Sequence, residues 1–138
     1  MISELFQQFS TAYKNDVNEK FSGDLESYQL LVKQAPDEIR KILGNDDLKI
    51  QGSIGQGNLA YYPWLGLFDH RVSTGATIGF YIVFLISDDY DHVYLTLNQG
   101  STQQTQKEIQ KYKDFVFEQV STIPGFEKGK LPQGSLVR

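Results

Sequence analysis

Residues 79–86, Gly-Phe-Tyr-Ile-Val-Phe-Leu-Ile, restrict the fold more than any other stretch. The run is continuous, rich in β-branched and aromatic residues, and bounded by Gly79 before it and Ser87-Asp88-Asp89-Tyr90-Asp91 after it, so its length suits a strand. Both faces of that strand are apolar and both have to be covered, which places it at the centre of a layered sheet. Residues 92–97 return with Val93, Leu95 and Leu97 alternating against Tyr94 and Thr96, completing a β-hairpin. Leu48 and Ile50 alternate with Lys49 and Gln51 and predict a further strand upstream.

Around this sheet the spacing turns helical. Ile2, Leu5, Phe6, Phe9 and Tyr13 predict an amphipathic helix over about residues 3–17, ended by Phe21-Ser22-Gly23-Asp24. Tyr28, Leu31 and Val32 form a short second stripe. Ala35-Pro36 then starts a new helix, with Pro36 at its first position, Asp37 and Glu38 complementing its positive end, and Gly44 stopping it. Ile109, Tyr112, Phe115, Val116 and Val120 predict a last helix over residues 106–120. The final eighteen residues hold two prolines and three glycines and no clear element. The fold class is therefore α+β: an antiparallel-rich curved sheet with N-terminal helices and a C-terminal helix packed on it. Residues 1–120 form one domain, and 121–138 are a tail or linker, with truncation expected there.

Composition excludes several functions. With no cysteine there is no disulfide or zinc-thiolate chemistry, and two histidines offer little to a metal. A net charge of −4 argues against a polycationic nucleic-acid binder, although between residues 48 and 87 the single carboxylate, Asp69, is set against Lys49 and Arg71. No secretory signal or membrane-length apolar stretch is visible, so a cytoplasmic address without membrane contact is expected.

Gly52, Gly55 and Gly57 fall within six residues and read as a flexible loop that another molecule can approach closely. The loop lacks the Gly-Lys-Ser/Thr of a phosphate loop and the following helix of a dinucleotide fingerprint. There is no Gly-x-Ser-x-Gly elbow, and His70 and His92 read as a solvated and a strand-edge residue. Pro36-Asp37 with Asp47-Leu48-Lys49 copies the spacing of metal-dependent nucleases, yet Asp37 falls in a helix first turn, where complementing the dipole is its simpler task. Asp88, Asp89 and Asp91 lack the glycine and glutamate of a calcium loop and read as a solvated turn. No catalytic residue, metal site or cofactor is expected. Tyr61, Tyr62, Trp64, Phe80, Tyr81 and Phe84 read either as sealed sheet core or as one apolar wall beneath the glycine loop, a socket for a flat ring.

Four blocks in order carry a family resemblance: Lys49-Ile50-Gln51-Gly52-Ser53-Ile54-Gly55-Gln56-Gly57-Asn58, Tyr62-Pro63-Trp64, Gly79-Phe80-Tyr81-Ile82-Val83-Phe84-Leu85, and Tyr94-Leu95-Thr96-Leu97-Asn98-Gln99-Gly100. Over about residues 26–100 the chain resembles the N-terminal DNA-recognition domain of McrB-type methyl-directed restriction proteins, which act in phage defence. In that family the domain precedes a GTP-hydrolysing AAA+ motor that recruits a separate nuclease subunit. The resemblance implies a non-enzymatic module that binds double-stranded DNA and flips a modified cytosine, such as 5-methylcytosine, into an aromatic pocket, with the motor and nuclease as partners.

On the matching positions the resemblance places Trp64, Tyr81 and Leu85 around the pocket, and Ser53, Gly55, Gly57 and Asn58 in the DNA-contacting loop. The best-known member has a tyrosine where this chain has Gln56. Gln56 is implied either to hydrogen-bond a base edge or to fill the gap left in the duplex, and the modification or specific site that is read stays open. Lys49 and Arg71, with Lys107 and Lys111, are candidate phosphate contacts. Two rival readings stand beside this one: a nuclease in its own right built on Asp47, and a protein-interaction domain that has kept the fold and lost DNA contact.

Overall fold

Residues 79–86 do lie inside a sheet. β3 (Phe80–Ile86) pairs antiparallel with β2 (Asn58–Asp69) on one side and with β4 (Val93–Gln99) on the other, and β1 (Leu48–Gln56) completes the body beyond β2. The computed structural model describes residues 2–73, 75, 79–100, 105–120, 124 and 135–137. The architecture is α+β, with an antiparallel, curved and unclosed sheet. A short β5 (Ser135–Val137) pairs antiparallel with β4, so the last eighteen residues contain an element that their glycines and prolines conceal.

The N-terminal helices pack on one face of this sheet. α1 (Ile2–Asp16) buries Leu5, Phe9, Ala12 and Tyr13 at the predicted spacing. They join Leu30, Leu31, Ala35 and Ile39 from the second helical segment and Ile50, Ile54, Leu65 and Ile86 from the strands in one core. Pro36 does not restart the chain. α2 (Glu26–Tyr28), a π-helical stretch (Gln29–Gln34) and α3 (Ala35–Leu43) run on without interruption, and Gly44, at φ 61°, ends α3 in the left-handed conformation.

Proline's missing N–H accounts for the wide turn. The Ala35 amide donates to the Leu30 carbonyl, five residues back, so in the same register the Leu31 carbonyl would need Pro36 as donor. That carbonyl lies instead against β1. A Cβ placed on Gly52 would sit 2.0 Å from the Leu31 oxygen, so the close approach of helix to strand requires glycine there.

α4 (Gln106–Val120) begins with a reciprocal capping box. The Thr105 hydroxyl accepts from the Glu108 amide at 3.2 Å, and the Glu108 carboxylate accepts from the Thr105 amide at 3.1 Å. The helix meets the sheet at β5. No helix among the described residues is long and apolar enough to cross a membrane.

Candidate functional site

The glycine-rich segment is not a loop. Residues 52–56 continue β1, and a tight turn at Gly57 leads straight into β2, so three glycines serve a strand and a hairpin. Gly57 takes φ 74° at the turn with open space around it. Gly55, at φ 116°, lies so close to β2 that a Cβ would meet the Asn58 carbonyl oxygen at 2.2 Å. The Ser53 hydroxyl accepts from the Gly55 amide at 3.2 Å. Gln56, Gly57 and Asn58 are exposed at the hairpin tip.

Strand alternation then sorts the aromatic residues between the two faces. Leu65 belongs to the helix-side core, whereas Trp64, Gly66 and Phe68 belong to the opposite face, where Phe68, Tyr81, Val83 and Leu85 form a second buried cluster with Trp64 packed against it. Register defines rows across this second face: Ser53, Trp64, Leu85 and Tyr94 in one, Gln51, Gly66, Val83 and Thr96 in the next. The predicted single wall therefore divides. Phe84 points to the helices and meets Phe6 at 5.3 Å, because neighbours in a strand cannot share a face, and Tyr61 is out in solvent.

Three of the four predicted pocket residues do come together. Trp64 is half-buried and opposes Leu85 directly, and Tyr81 is reached through Phe68, whose ring lies 6.3 Å from the indole edge-on and 5.0 Å from the Tyr81 ring. Tyr81 is 9% and Leu85 4% exposed, so they form a floor while Trp64 keeps accessible surface. Gln56 stands apart. It lies three residues beyond Ser53, the partner of Trp64, which is about 10 Å along the strand.

Gly66 shapes this cluster. A Cβ there would meet the Phe68 ring at 2.7 Å and the Trp64 ring at 3.1 Å, so glycine is what lets the two rings converge over the backbone. Phe68 and Gly66 lie outside the four blocks, and Thr96 and Asn98 lie in the fourth without a site role assigned to them, although the i, i+2, i+4 spacing of Trp64, Gly66 and Phe68 carries the signal. Asn98 and Thr96 are fully buried, and the Thr96 hydroxyl lies 2.9 Å from the Asn98 side-chain oxygen. Burial pushes the Tyr81 phenol above its ordinary value, partly opposed by a side-chain hydrogen bond with Asn98, its cross-strand partner.

Charge is unevenly placed. The Lys49 ammonium lies 5.9 Å from the centre of the Phe68 ring, at the end of the face away from the hairpin tip. Arg71 is forked onto Asp69, with Nε to Oδ1 at 3.0 Å and Nη2 to Oδ2 at 2.6 Å. That guanidinium holds the Asp69 carboxyl well below the usual carboxylate range, and Arg71 is raised in turn. Lys107 and Lys111 are exposed on α4.

Several carboxylates of the nuclease and metal readings are engaged locally. Asp37 accepts from Arg40 at 3.1 Å on its own helix, and among the described residues no group of three or more His, Asp or Glu gathers where it could hold a metal ion. In the β3–β4 turn, hydrogen bonds from the Ser87 hydroxyl and the Asp91 amide lower the Asp89 carboxyl to about 2, while Asp91 pairs with Lys14. His92 stacks on Tyr94 beside Asp89, and His70 is exposed in the turn after β2.

No curated protein and no solved structure matches the chain. One family model does, described as MrcB-like, N-terminal domain, and it covers residues 8–130, nearly the whole chain. It takes in α1 from Gln8 onward, the four main strands with the Trp64 cluster, and α4. The chain belongs to the MrcB-like N-terminal domain family.

Proposed function

We propose that this domain binds duplex DNA and draws one base, a modified cytosine or a base of a specific site, out of the stack and onto Trp64. The observation that carries the reading is the half-buried indole at the margin of an aromatic cluster, on the sheet face turned away from α1–α3. Membership of the family is consistent with a DNA-binding module. Extruding a base costs a few kcal/mol. Stacking on an aromatic ring returns about 1–3 kcal/mol, so Trp64 offsets much of that cost. A single methyl in an apolar pocket contributes only about 1–3 kcal/mol of discrimination, so strong selectivity needs polar contacts. The Tyr81 hydroxyl, and Gln56 if the hairpin closes on the base, are the groups to supply them.

The hairpin has the reach for a duplex. From Lys49 to Gln56 is about 23 Å along β1, comparable to about seven base-pair steps. Lys49 and Arg71 are the phosphate contacts of this reading, and Arg71 would have to share its guanidinium with Asp69. The module would choose the site, and an AAA+ GTPase motor and a nuclease subunit would act on it.

The test is binding at fixed salt to matched duplexes carrying cytosine, 5-methylcytosine, 5-hydroxymethylcytosine or N4-methylcytosine. Trp64→Ala lowers affinity about tenfold or more, and by less on a duplex already mismatched at the target. Gln56→Tyr alters preference among the duplexes more than overall affinity. If no duplex binds in a salt-sensitive manner, the proposal is wrong. A folded Trp64→Ala domain that binds undiminished removes the pocket from it.

A further inference from the structure

Between the pairs Ser53 with Trp64 and Gly55 with Leu59, β1 has one residue, Ile54, and β2 has four, residues 60–63. β2 therefore bulges just below the hairpin tip, and a bulge leaves backbone groups without ladder partners. The Tyr13 hydroxyl, fully buried beneath α1, donates to the Ala60 carbonyl at 2.5 Å and lies 3.4 Å from the Ile54 carbonyl on the opposing strand. Pro63 is buried and fixes the other end. Between these two anchors Tyr61 is 80% exposed, the most exposed large apolar side chain among the described residues.

From these observations we infer that Tyr61 is a second nucleic-acid contact, an aromatic platform that stacks on a base of the duplex beside the one held at Trp64. The inference rests on the DNA-binding reading above. Trp64 pairs with Leu85 and β3 ends at Ile86, so the bulge projects past the edge of the sheet at the same end as Trp64. Residues 48–68 contain one lysine and no carboxylate, which suits a polyanion. The acidic β3–β4 turn lies at the same end, with Tyr90 within electrostatic reach of Tyr61, so the duplex would approach the ring from the β1 side of the bulge. A ring whose backbone is already held loses little freedom on binding, and base–aromatic stacking tolerates any sequence. Tyr61 thus supplies affinity, while Trp64 and the hairpin tip supply choice.

The experiment compares wild type, Tyr61→Ala, Tyr61→Phe and Trp64→Ala by fluorescence anisotropy, using a labelled 5-methylcytosine duplex and its unmodified twin, with thermal melting as the folding control. Tyr61→Ala should weaken both duplexes by the same factor, about tenfold, and melt like wild type. Tyr61→Phe should bind as wild type, because the ring and not the hydroxyl makes the contact. Unchanged binding by Tyr61→Ala beside impaired Trp64→Ala would overturn the inference and leave the base pocket standing. Equal losses in Tyr61→Ala and Tyr61→Phe would also overturn it. Impaired Tyr61→Ala beside unimpaired Trp64→Ala would support the platform and remove the pocket, and a wild type that binds neither duplex would remove both.

Discussion

At the scale of single residues, the cluster around Trp64 is held by what one position lacks. Gly66 has no side chain, and the Phe68 and Trp64 rings occupy the space a methyl would fill. Gly66→Ala should therefore displace the indole and lower DNA affinity about tenfold, while costing about 1–3 kcal/mol of stability. Paired binding and urea-unfolding curves check this, and unchanged affinity would show that the ring position is immaterial. Asp89 offers a second residue-level test. Its carboxyl is depressed to about 2, so its contribution to the β3–β4 turn is complete above about pH 4 and is lost as pH falls through about 2. Carboxyl NMR should place its midpoint near 2, and a midpoint near 4 would contradict the bonded turn. Trp64, Tyr81 and Leu85 were legible as a group from their blocks, because such motifs mark positions. The roles of Phe68, and of Thr96 within the fourth block, were not, because they depend on which strands become neighbours.

At the scale of elements, α1, α4, β3 and β4 follow from periodicity and capping, and the structure agrees to within a residue or two. The second helical segment and the first hairpin do not. Pro36 looks like a helix start, yet a π-helical turn absorbs its missing donor, and that accommodation depends on the fit of Leu31 against Gly52. Glycines in sequence look like a loop, whereas Gly52 serves packing, Gly55 a bulge and Gly57 a turn. These roles predict different costs. Gly57→Ala places a side chain at positive φ in open space and should cost about 1–2 kcal/mol. Gly52→Ala drives a methyl into a backbone carbonyl and should cost more. Denaturant midpoints rank the two, and the reverse order would contradict the assigned packing.

Tyr13 ties the same elements together. Burial raises its phenol above the ordinary value near 10, so its contribution is full below that pH and declines as pH rises past it. Tyr13→Phe should cost about 1–3 kcal/mol at neutral pH by stripping the Ala60 carbonyl of its donor, and should reduce the alkaline loss of stability. Equal alkaline losses in both proteins would place the titrating group elsewhere.

At the scale of the whole molecule, the sheet separates two tasks by face. The N-terminal helices cover one face and supply the core, and the other carries an aromatic row beside a hairpin whose residues 48–68 hold no carboxylate. Alternation along β2 and β3 produces this division, which is why a single chain can be both tightly packed and able to present a ring. The chain contains one tryptophan, at position 64, so its emission reports the proposed base site with no competing signal. The most direct measurement follows Trp64 emission while a 5-methylcytosine duplex is titrated in, with anisotropy of the labelled duplex recorded in parallel. Stacking of a base on the indole predicts quenching that saturates together with anisotropy. A saturating rise in anisotropy with Trp64 emission unchanged would mean that DNA binds without a base reaching the indole, contrary to the mechanism proposed.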